Sequence, residues 1–146
     1  MSAPTIIVYS LEQATAAVSA AGERGQKILI LSAPGAASSM GAAVFKSLTD
    51  LLREEFPDEN FTAAIDCGAD AGHALAAIRQ GIRAVVLSDC CPARERVADI
   101  ARQNGAHMLS DNVYSEKNGT GPLDLVNCRD PLAACHDFLH INRNTQ

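Results

Sequence analysis

The segment Asp66-Cys67-Gly68-Ala69-Asp70-Ala71-Gly72-His73 places two carboxylates, a thiol and an imidazole within eight residues. Carboxylates and imidazoles exchange protons near neutrality, and a thiolate is a nucleophile, so this segment could do acid-base, thiol or ligand-binding chemistry. His73 falls in the first turn of an expected helix, where the helix dipole depresses an imidazole pKa and suits a neutral base or ligand. The plainer reading is a surface histidine hydrogen-bonded to its loop. Asp70 fits a helix N-cap. A second concentration follows at Ser88-Asp89-Cys90-Cys91-Pro92. Thiols beside helix N-termini are expected to have lowered pKa values. Asp66, Cys67, Asp89 and Cys91 are therefore the catalytic candidates, although the same residues also serve as caps and small fillers.

The loop from Ser32 to Gly41 is built of small residues, which let a ligand approach the backbone beside a helix N-terminus that favours an anion. Ser32, Gly35 and Ser38, with Asp66 and His73, are the ligand-binding candidates. The loop matches neither the phosphate-cradling Gly-Lys-Ser/Thr pattern nor GxGxxG, so nucleotide binding is not supported and no cofactor is indicated. A connector of small residues is the alternative. Cys67, Cys90 or Cys91 could meet His73 or His107 around a metal, but the chain contains no Cys-x-x-Cys, and no metal site is expected. His136 and His140 share the spacing of HExxH, yet Asp137 stands where that motif needs a glutamate, so both read as structural or exposed.

The elements that position these residues alternate. Ile6 to Tyr9, Ile28 to Leu31, Phe61 to Ile65, Ala84 to Leu87 and His107 to Leu109 are short apolar runs of the kind buried on both faces of a sheet. Helical spacing follows each of the first four. Ser10 with Gln13 forms a capping box ahead of Leu11, Ala14, Val18 and Ala21. Val44, Phe45, Leu48, Leu51 and Leu52 line a helix that Pro57 stops. Asp70 caps a third helix closed by Gly81, and Pro92 suits the first turn of a fourth that ends near Gly105. The segment from Asn112 to Pro122 is polar and reads as a loop. Leu123 to Val126 offers a sixth strand, and Asp130-Pro131 opens a last helix.

Four strand-helix units and a closing strand predict a single three-layer α/β domain over residues 1–146. Its core spans 5–111, followed by the loop 112–122 and a strand-helix extension at 123–142. Five or six mostly parallel strands should carry helices on both faces in a flavodoxin-like order, with a half-barrel-like sheet as the alternative. In an open parallel sheet, ligands bind outside the carboxyl ends of the strands. Ser10, Ser32, Asp66, Ser88-Asp89 and Ser110-Asp111 all fall at that edge.

Composition bounds the function. With 47% hydrophobic residues the chain can bury a core unaided. A net charge of −5, from 12 basic and 17 acidic residues, argues against nucleic-acid binding. Aromatics at 4% disfavour base-stacking platforms. An odd count of five cysteines and the lack of a basic, apolar leader indicate reduced thiols in the cytoplasm. No run approaches the length of a membrane helix.

The unit from Phe61 to Asp89 resembles one strand-helix-strand unit of barrel aldolases and isomerases. That resemblance implies a Schiff-base lysine at a strand's carboxyl end, but Lys27, Lys46 and Lys117 lie elsewhere. Length and element order also resemble response-regulator receiver domains, which would make Asp66 a phosphoacceptor. That family's acidic pair and lysine are replaced here by Tyr9-Ser10 and Ser110-Asp111. The expected function is a small polar molecule bound at the carboxyl edge. A non-enzymatic protein that forms homodimers or larger oligomers through its Ala-rich helices or C-terminal segment is the alternative.

Overall fold

Six parallel strands form one sheet: β1 (Thr5–Val8), β2 (Ile28–Ser32), β3 (Phe61–Asp66), β4 (Ala84–Val86), β5 (His107–Leu109) and β6 (Leu123–Asp124). The structure, a computed structural model, describes residues 3–58, 61–116 and 120–144. Helices α1 (Leu11–Glu23), α2 (Ala36–Ser39), α3 (Ala42–Glu55), α4 (Ala71–Arg79), α5 (Arg94–Gln103) and α6 (Pro131–Asn144) join them, with a 3₁₀ helix at Asp111–Tyr114. The chain is thus a three-layer α/β fold. Among the described residues no helix is long and apolar enough to cross a membrane. All five cysteines are free thiols.

The strand order is β5-β4-β3-β2-β1-β6. This differs from the flavodoxin-like 2-1-3-4-5 and matches, through its first five strands, the consecutive neighbours of the half-barrel-like alternative. Each strand from β1 to β5 is laid beside its predecessor in one direction, as the registers Thr5↔Leu29, Ile28↔Phe61, Ala64↔Ala84 and Ala84↔His107 record. Right-handed crossovers taken always in the same direction put every connecting helix on the same face. β6 reverses the direction by pairing with β1, Ile6↔Leu123, so its crossover passes over the other face.

The outer layers are consequently unequal. Alternate strand residues Ile6, Val8, Ile30, Ala63, Ile65, Val85 and Leu87 join the large buried cluster under the α-helices. Residues of the opposite parity, Ile7, Leu31, Ala64, Ala84 and Val86, form a smaller cluster that meets Val113 and Tyr114 of the 3₁₀ segment. Strict alternation follows from the pleat, which sends successive side chains to opposite faces.

The C-terminal extension is part of this architecture. α6 packs on α1, and its Cys135 and Leu139 are fully buried. Arg24 Nε donates to His136 Nδ1 at 3.1 Å, and His136 Nε2 lies 2.9 Å from Glu23 Oε2. Ser10 Oγ accepts from Gln13 N at 3.2 Å, half of the expected capping box. The other half differs. Gln13 Oε1 accepts from Tyr9 N, and its amide donates to Leu125 O, both at 2.8 Å, which ties β6 to the start of α1.

Candidate functional site

At the carboxyl edge the structure brings Ser32, Gly35 and Asp66 into one hydrogen-bonded network. Asp66 is the last residue of β3 and is 7% exposed. Its Oδ1 accepts from Gly68 N at 2.9 Å, and its Oδ2 accepts from Gly35 N at 3.1 Å and from the Tyr114 hydroxyl at 2.8 Å. Asp66 N donates to Ser32 Oγ at 2.9 Å. Gly35 has φ +72°, a left-handed conformation that favours glycine, and this turn aims its N–H at the carboxylate. One buried carboxylate therefore fastens the turns after β2 and β3 and the 3₁₀ helix after β5. Three donors occupy most of its acceptor capacity, so the arrangement holds loops together and leaves little for a substrate proton.

Tyr114, inside the stretch read from sequence as a loop, is the residue that reasoning from sequence missed. A single aromatic in a polar run was the available signal. Burial, then the hydrogen bond and charge of Asp66, holds its phenol well above the ordinary range. Tyr9 is raised too, by burial and by its hydrogen bond to Asp124.

The other candidates stand apart from this network. Ser38 is exposed on α2. His73 is half-buried; its backbone N–H is capped by Asp70 Oδ1 at 3.1 Å, and its Nδ1 lies 3.7 Å from Asp70 Oδ2. Asp89 is exposed and pairs with Arg94 Nε at 3.2 Å. Cys91 is buried in the turn after β4, which meets the network where Ser88 N donates to Gly68 O at 2.8 Å. Ser88 Oγ donates to Asp111 Oδ2 at 2.9 Å and accepts from Cys90 N at 3.2 Å. Several of the strand-end Ser and Asp residues act as caps and turn locks.

Cys67 corrects an expectation. Its thiol pKa is pushed up to about 12, chiefly by burial, with the Asp66 and Asp70 carboxylates adding to the shift. Proximity to a helix N-terminus does not offset desolvation and two nearby negative charges, so this thiol stays protonated and unreactive near neutrality. Among the described residues no group of three or more His, Cys, Asp or Glu side chains is placed to hold a metal ion.

A cavity lies elsewhere, on the sheet's second face. The 3₁₀ helix reaches Asp66 and covers the carboxyl half of that face. The amino half is left as a trough of about 370 Å³. Leu29, Ala84, Leu109 and Val113 supply apolar floor and wall. Thr5, Lys27, Thr62, His107 and Asn112 add polar groups. Lining residues come from β1 through β5, so at about 4.8 Å per strand the trough extends about 19 Å across the sheet. Lys27 and His107 border it from strands three positions apart in the order.

Compared with known proteins, the chain matches no family model and no curated relative.

Proposed function

We propose that this chain is a small-molecule binding module whose ligand lies in the trough on the second face of the sheet. The ligand class is an elongated, mostly apolar molecule carrying an acidic group. The observation that carries this reading is the cavity itself. Its volume falls in the range of ligand pockets, apolar side chains dominate it, and a few polar groups stand where they could orient a guest. Lys27 supplies a positive charge to that lining and His107 adds an imidazole able to hydrogen-bond, which suits a carboxylate or a comparable anion. This site replaces the carboxyl edge as the preferred location, because the polar groups at that edge largely satisfy one another. Five free thiols support a reducing, cytoplasmic setting.

The test uses the full chain and the fluorophore 1-anilinonaphthalene-8-sulfonate, an apolar anion, followed by competition with medium-chain carboxylates. Saturable binding to the folded protein is expected, reduced at least tenfold by Thr62→Trp, which fills the trough from an exposed position. Lys27→Gln should weaken the carboxylates more than a neutral alcohol of equal length. Binding that ignores both substitutions would overturn the reading.

A second reading rests on the same bare half-face, since parallel sheets are ordinarily covered on both sides. A second copy of the chain could supply that cover. Light scattering separates the two readings: a dimer that Thr62→Trp converts to monomer favours self-association, whereas a monomer that binds the probe favours the ligand site.

A further inference from the structure

We propose a second binding site, for a small dianionic oxyanion of the phosphate type, in a groove on the helix-covered side of the sheet. The groove has a volume of about 280 Å³ and lies between α3 and the turn that enters β4. Lys46, Arg53 and Arg83 line it, with Thr49 and a single carboxylate, Asp50. Three cations against one acid give a local formal charge of +2 in a chain whose net charge is −5.

Two of the cations are already positioned. Arg53 Nη2 donates to Phe61 O at 3.1 Å, and its guanidinium lies 4.4 Å from the centre of the Phe61 ring. This anchors the group and leaves most of its five donors for other partners. Lys46 is held by Asp50 one turn along α3. Gly81 faces the same lysine. A Cβ added there would come 3.3 Å from Lys46 Cε, in a backbone with φ +89° that favours glycine. The turn thus keeps room for the lysine stem. The Arg83 backbone carbonyl accepts from His107 N at 2.8 Å, while its guanidinium makes no hydrogen bond or ion pair with a described residue. An Arg fork, a second anchored guanidinium and an ammonium match the geometry by which proteins bind phosphate oxygens. The groove is open to solvent, so binding should weaken as salt screens it.

The experiment titrates the full chain with inorganic phosphate and with phenyl phosphate at low, matched ionic strength, followed by calorimetry and by NMR shifts. Saturable binding of both is expected. Arg83→Gln, at an exposed position whose side chain has no described partner, should fold normally and weaken binding at least tenfold, and Lys46→Gln should do likewise. Asp50→Asn should strengthen binding several-fold by releasing Lys46. The proposal is overturned by the absence of saturable binding, by affinity unchanged in Arg83→Gln, or by succinate binding as tightly as phosphate. None of these substitutions touches the trough, so failure here leaves the reading of that site standing.

Discussion

Replacing Asp66 with asparagine tests whether this carboxylate is the fastening point of the carboxyl edge. The side chain accepts from Gly35 N, Gly68 N and the Tyr114 hydroxyl. An amide keeps one acceptor oxygen and turns the other position into a donor. With its oxygen at the Oδ2 position, the amide nitrogen confronts Gly68 N–H; reversed, it confronts Gly35 N–H. Either way one donor at a 7%-exposed site loses its partner, which costs about 1–3 kcal/mol. Each surviving bond also loses its charge assistance, about 1 kcal/mol apiece. Burying a neutral amide is cheaper than burying a carboxylate, which offsets part of the loss. The net expectation is a destabilisation of about 2–4 kcal/mol. Equilibrium urea unfolding followed by circular dichroism reads this directly, since the chain has no tryptophan. A double-mutant cycle with Tyr114→Phe should give a coupling of about 1–2 kcal/mol, because the two residues share one bond. An Asp66→Asn protein within about 0.5 kcal/mol of the parent, or additive effects in the cycle, would refute the fastening role.

Two further predictions follow from the thiols. Under native conditions an alkylating reagent should modify exposed Cys90 first and half-buried Cys128 more slowly, while Cys67, Cys91 and Cys135 react only on unfolding. Intact mass spectrometry with peptide mapping counts the adducts, and rapid labelling of Cys67 in folded protein would contradict its burial. Stability should also fall with alkali. Burial raises the Cys67 and Cys135 thiols to about 12, with Asp66 and Asp70 adding at Cys67 and Cys128 at Cys135. Between the ordinary thiol pKa and about pH 12 the unfolded chain therefore holds fewer protons than the folded one. The contribution is complete below about pH 8 and declines by at most about 1.4 kcal/mol per pH unit for each group. Urea midpoints measured from pH 7 to 11 check this, and the decline should be shallower in Cys67→Ser.

Much of the local structure was legible in the chain. Ser10, Asp70 and Asp130 cap helices as their types and positions predicted. Ile28, Ile30 and Leu31 are buried, as an uninterrupted apolar strand should be, while Leu29 is half-buried where it lines the trough. Differences arose where a partner distant in sequence decides the outcome. Gln13 completes its bonds with Tyr9 and Leu125 rather than closing its own cap. The small-residue loop holds one turn of helix at Ala36–Ser39, and the polar loop holds Asp111–Tyr114, because Asp66 receives one donor from each segment. The candidate site was half legible. Ser32, Gly35 and Asp66 do converge, but Tyr114 was not counted among them, and the trough uses Lys27, Thr62 and Asn112, whose types carry no signal by themselves.

By itself the sequence determined what depends on neighbours along the chain: five strands with a sixth segment on offer, their mostly parallel alternation with helices, the caps, and the carboxyl-edge location of Ser and Asp residues. Tertiary structure alone decided the order of the strands. A periodic apolar pattern specifies that a strand is buried, not which strand lies beside it. That order, running one way from β1 to β5 and reversing only at β6, gathers the long helices on one face. It leaves the other face to a single short crossover, and the bare half of that face is where the trough forms.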